Sequence, residues 1–159
     1  MKWHEFEKAA PEIARAGAER FRAARLAFIG TLRLDGWPRI NPVEPLFISG
    51  DLVLGMIWQS KKALDLLRDP RCTLHSVLTD PDENEGEFKL RGRARPPADE
   101  YYSEQIRTLW GMDPSAALHV FWIDIIDASL TTYDFEGGLI SVARWDANTG
   151  TSEIRRHYP

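Results

Sequence analysis

Ser60, Lys61 and Lys62 give the chain its clearest chemical signal. Leu52-Val-Leu-Gly-Met-Ile-Trp58 ahead of them reads as a strand. Ser60 is a good helix N-cap, and Ala63, Leu66 and Leu67 then fall on one face of a short helix. Asp69-Pro70 ends it, because the residue before a proline is pushed out of the helical region. Both lysines therefore fall in the first helical turn, where the helix dipole favours acids over cations. The arrangement suits a bound anion, met by free backbone N–H groups, a hydroxyl and two ammonium groups. Two solvated lysines beside an ordinary cap would give the same residues.

Elsewhere the chain is sparing with reactive groups. Its four histidines (His4, His75, His119, His157) lack metal-ligand spacing, so no metal site is expected. Cys72 is the single cysteine; it excludes an intrachain disulfide and reads as a packing residue in a buried strand. The carboxylates of residues 80–87 lack the spacing of a calcium loop. No Ser-His-Asp or Cys-His grouping and no distinctive carboxylate pair stands out, so no residue is assigned as a catalytic acid, base or nucleophile. Lys89, Arg91, Arg93 and Arg95 alternate with Phe88, Leu90, Gly92 and Ala94, which makes either a solvated strand face or a counter-surface for an anion. A formal net charge of −4 argues against a general nucleic-acid binder. Without a signal peptide or a run of ~18 apolar residues, the expected location is cytoplasmic, with no membrane association.

Residues 2–24 are expected to be helical, with Ala10, Ile13, Ala14, Gly17 and Phe21 forming the packing stripe. Residues 25–33 read as a strand, and Asp35-Gly36 as its hairpin turn. The return strand, 38–48, carries Pro38, Pro42 and Pro45, so it must be bent, bulged or at a sheet edge. Residues 71–79 and 88–95 read as strands, and residues 98–110 as a helix. Residues 118–126 are apolar on both faces, as for a strand buried from two sides. Residues 130–134 and 139–143 suggest a hairpin, followed by a polar tail over 146–159. With 159 residues the chain is expected to form one domain (helical segment 1–24, barrel 25–145, tail 146–159). Its fold class is then mainly β with added helices: a small barrel of six to eight mostly antiparallel strands and three helices.

The succession Ala-Phe-Ile-Gly-Thr-Leu-Arg, Asp-Gly, Pro-Arg-Ile-Asn-Pro-Val, Ser-Lys-Lys-Ala, Asp-Pro-Arg-Cys resembles the pyridoxamine 5′-phosphate oxidase-like family, the flavin-binding split β-barrels. The motifs span about residues 25–95. The resemblance implies a cofactor phosphate held by Arg39, Ser60 and Lys62, with Lys61 beside them. It places the flavin ring along Ile40, Asn41, Pro42 and Val43 and along Met56, Ile57 and Trp58. It further implies a homodimer with cofactor sites at the interface, which would account for the two-sided strand 118–126. The cofactor would be FMN or, as in a similar branch, the deazaflavin F-420, whose polyglutamate tail the 89–95 row would face. True pyridoxamine phosphate oxidases carry a lysine a few residues beyond the arginine, whereas this chain has Glu44 in the nearby Pro-Val-Glu-Pro, and residues 154–159 only echo their substrate motif, so vitamin B6 oxidation is not expected. The implied function is an oxidoreductase moving a hydride to or from a small organic substrate. The alternative is a non-catalytic protein that binds or stores a flavin, deazaflavin or haem.

Overall fold

The computed structural model describes residues 1–78 and 86–157. Two helices come first, α1 (Trp3–Ala9) and α2 (Pro11–Ala24). The expected single helix is interrupted because Ala10 leaves helical geometry just before Pro11, which then opens α2 at its first position. The stripe of α2 is buried as expected. Gly17 lies so close to the sheet that a Cβ there would come within 2.6 Å of the Phe88 ring.

The strands are β1 (Ala27–Leu32), β2 (Pro38–Val43), β3 (Pro45–Ile48), β4 (Asp51–Ile57), β5 (Arg71–Ser76), β6 (Glu87–Arg95), β7 (Leu118–Asp134), β8 (Leu139–Asp146) and β9 (Gly150–His157). Helix α3 (Lys61–Arg68) joins β4 to β5, and α4 (Tyr101–Leu109) joins β6 to β7. The order across the sheet is β2-β1-β5-β6-β7-β4-β3, all antiparallel, with β8 and β9 added beyond β7. The strands at the two ends of that order, β2 and β3, are consecutive in the chain. One bent segment therefore links the sheet's two ends, and the architecture is a split barrel.

The proline-rich return strand is thus two strands that part at Glu44, where pairing passes from β1 to β4. Pro38 and Pro45 each open a strand, and Pro42 lies on the edge strand β2, where a missing donor costs little. Two further expectations change. Residues 118–134 form one long strand, which pairs with β4 near its start, β6 in its middle and β8 near its end. Residues 150–157 are no tail, because β9 pairs along the whole of β8. The described residues therefore hold nine strands and four helices, against the expected six to eight strands and three helices. Residues 79–85, 158 and 159, and with them most of the acidic loop and the end of the tail motif, lie outside the described residues.

The main core fills the barrel with Ile29, Leu54, Met56, Leu74, Leu90, Phe121 and Ile123, closed over by Trp3, Phe6 and Phe21 of the first two helices. A second cluster, Ile48, Val53, Ile106 and Val120, lies outside the barrel beneath α4, with Leu118 and Trp122 against it. Strand β7 is thus buried on both faces around Val120 and Phe121 within one chain. The cover on its outer face is α4, so its composition no longer argues for a subunit interface.

Candidate functional site

Strand pairing brings Thr31 of β1 opposite Arg39 of β2, so both side chains leave the hairpin on the same face. They meet the same carboxylate. Arg39 donates from Nε to Asp65 Oδ2 at 2.6 Å, and the Thr31 hydroxyl donates to that oxygen at 2.9 Å. Arg68, one turn further along α3, approaches Asp65 Oδ1 at 3.4 Å and also donates to the Leu32 carbonyl. Asp65 is buried. Burial pushes its carboxyl up, but hydrogen bonds from Arg39 and Thr31, the Arg39 charge and Arg68 outweigh it and hold it below the usual range.

Around this carboxylate lies an open cavity of about 450 Å³, lined by Arg33, Leu34 and Asp35 of the hairpin, Arg39, and Lys61, Leu64, Asp65 and Arg68 of α3. Lys61, Leu64, Asp65 and Arg68 follow the helical i, i+3, i+4, i+7 spacing that places them on one face. Four cations face two carboxylates there. Asp65 engages Arg39 and Arg68, and Asp35 lies 3.5 Å from Arg33.

The other expected site residues divide between faces. Asn41 and Val43 alternate with Ile40 and Pro42 along β2; Val43 is buried, whereas Ile40 is 70% exposed. Met56 is packed into the core at 1% exposure, so it offers no surface to a ligand, while Ile57 and Trp58 are exposed. The two lysines diverge: Lys61 lines the cavity, but Lys62 donates its ammonium to the Pro42 carbonyl at 2.9 Å. Burial lowers the Lys62 pKa from its usual value. Ser60 occupies the N-cap position without capping the helix through its side chain. Its hydroxyl oxygen is buried and has no hydrogen-bond partner among the described residues. Leu67, expected on the buried face of α3, is half exposed.

The row on β6 proves largely neutralised. Lys89 pairs with Glu87, Arg91 with Asp127 and Arg95 with Asp124, so these cations are not a vacant counter-surface. Cys72 is buried, and its thiol is pushed up to about 12 by that burial, which excludes a thiolate nucleophile near neutral pH. Among the described residues no group of His, Cys, Asp and Glu is arranged to hold a metal ion. Nor is any helix among them long and apolar enough to cross a membrane.

Sequence reasoning missed Thr31, Arg33, Asp65 and Arg68 at the cavity, and His119 beside Trp58. Asp65 and Arg68 read as ordinary polar residues of a helix, although their i+4 and i+7 spacing from Lys61 was available as a signal. His119 stacks between Trp58 (centroids 4.4 Å apart, planes at 13°) and Phe121, and its Nε2 is buried with no partner among the described residues. That pairing follows from the β4–β7 register, which no local pattern encodes.

No family model and no curated protein matches the sequence. Solved structures do. PhzG of Burkholderia lata 383 superposes with a TM-score of 0.71 at 9% identity, over 98% of this chain and 93% of that one. The fold is that of the pyridoxamine 5′-phosphate oxidase-like split barrels. A pyridoxamine 5′-phosphate oxidase-related, FMN-binding protein of Nostoc punctiforme PCC 73102 gives 0.63 at 14% identity, over 94% of this chain and 96% of that one. An F420 reductase gives 0.50 at 15% identity, over 65% and 88%. At these identities the likeness speaks for the split-barrel fold and leaves activity to the site.

Proposed function

We propose that this split barrel is a flavin-binding oxidoreductase that holds FMN, or the deazaflavin F-420, by its phosphate and passes a hydride to or from a small organic substrate. The observation that carries the reading is the cavity between the β1–β2 hairpin and α3, where Arg33, Arg39, Lys61 and Arg68 converge. A phosphate suits that donor set, because guanidinium and ammonium groups supply charge-assisted hydrogen bonds to its oxygens. The unpartnered Ser60 hydroxyl immediately before α3 fits a ligand oxygen as well. Ile57 and Trp58, exposed just ahead of Ser60, offer surface for a planar ring, and Ile40, exposed on the other face of the hairpin, offers surface for a second copy of the chain. In this reading the cofactor supplies the redox chemistry. The chain's own groups bind its phosphate, fix its orientation and exclude water from the ring.

The test is an absorbance spectrum of the purified protein followed by titration with FMN and with F-420. Tight binding of one of them is expected. Arg39→Ala, which removes a charge-assisted donor worth ~1.5–3 kcal/mol, should weaken that binding by roughly ten- to a hundredfold. If Arg39→Ala leaves the affinity of the preferred cofactor unchanged, the phosphate site is refuted.

A further inference from the structure

We infer that Asp65 is a positioning residue for the anion site: a carboxylate buried within a phosphate-binding cavity whose role is to aim the cations at the ligand. This inference rests on the phosphate reading above. A carboxylate facing a phosphate should weaken binding by simple repulsion, so its presence in the cavity wall needs a reason. The geometry supplies one. Asp65 Oδ2 takes the Nε edge of Arg39 at 2.6 Å and is itself fixed by the Thr31 hydroxyl at 2.9 Å. Engaging Nε leaves the terminal nitrogens of that guanidinium for a second partner. The other oxygen holds Arg68, whose guanidinium is also tied to the Leu32 carbonyl. One carboxylate thereby ties both arginines to the hairpin and to α3 before any ligand arrives. Pre-organisation of this kind lowers the ordering cost of binding.

Charge counting and positioning predict opposite signs for Asp65→Asn, which keeps the shape and removes the charge. If the carboxylate only repels the ligand, the variant binds phosphate-bearing cofactor more tightly. If it aims the arginines, binding weakens. The experiment measures the affinity ratio of FMN to riboflavin by fluorescence titration, with the ratio of F-420 to its phosphate-free chromophore in parallel. Thermal melts establish that each variant is folded. For Asp65→Asn the phosphate-bearing member of the preferred pair should lose about tenfold in affinity, while the phosphate-free member is unchanged. In an Arg39→Ala background the same substitution should cost much less, because the group it aims is gone. Thr31→Val, which alters no charge, loosens the carboxylate and should shift the ratio in the same direction by less; it serves if Asp65→Asn does not fold. Tighter or unchanged binding of the phosphate form, equal loss of both forms, or additivity with Arg39→Ala each overturns the positioning role. If the wild-type protein does not distinguish phosphate-bearing from phosphate-free cofactor, the phosphate reading itself falls, and the inference falls with it.

Discussion

Asp51 illustrates how much of the molecule depends on single buried carboxylates. Its side chain is buried at the turn into β4, accepting from the Lys2 ammonium at 2.6 Å and the Tyr102 hydroxyl at 2.5 Å, with His4 Nδ1 at 3.4 Å. It therefore joins the N-terminal helix, the sheet and α4. Burial pushes its pKa up, yet the Lys2 and Tyr102 hydrogen bonds, the Lys2 charge and His4 hold it below the usual 3.8. The tyrosine moves the other way, up to about 12, through burial and the Asp51 hydrogen bond and charge. A depressed carboxylate contributes stability that is fully present above the unfolded value, here 3.8, and is lost as pH falls through the lower folded value. Asp51→Asn should therefore be less stable than wild type at neutral pH, and the gap in urea midpoint should narrow as the pH falls below 3.8. A gap that stays constant with pH would show that the Asp51 charge does not stabilise the fold.

At the scale of elements, the sequence marked what short-range chemistry controls. The Asp35-Gly36 turn, with Gly36 at a φ of 82°, the strand alternation around Phe88 and the lysine-led helix were all legible. The three prolines predicted a disturbed strand, but only pairing partners reveal that Glu44 is where one strand becomes two. There Glu44 accepts the indole N–H of Trp110 at 2.8 Å, a contact spanning 66 residues that no local pattern encodes. The two-sided strand was legible as well, although its cover proved to be α4. That docking depends on Gly55, where a Cβ would lie 2.6 Å from the Trp110 ring and 2.9 Å from Ile106 Cγ2. Gly55→Ala should push α4 away from β4 and cost about 1–3 kcal/mol in a urea melt, the usual penalty for overpacking. An unchanged midpoint would mean that α4 yields without loss.

For the whole molecule, the outer face of β1 and β2 bears on the proposed dimer. Ile40 and Phe28 are 70% and 43% exposed, on a face where Gly30 and Pro42 are their cross-strand partners. Trp37, close to the hairpin tip, and Ile57 and Trp58, at and just past the end of β4, add further exposed apolar surface. Isolated exposed apolar side chains are common on monomers, but five large ones on one chain are an incentive to association. A second copy meeting this face would bury Ile40 and Phe28. Light scattering should then give twice the chain mass, and Ile40→Glu, which places a charge in the proposed contact, should shift the protein to monomer. Cofactor affinity should fall with the dimer if both subunits build the site, while Asp65 and Arg39, on the opposite face of the hairpin, keep their geometry. A wild-type protein that remains monomeric with cofactor bound would refute the dimer but leave the phosphate cavity standing, since every residue lining that cavity comes from one chain.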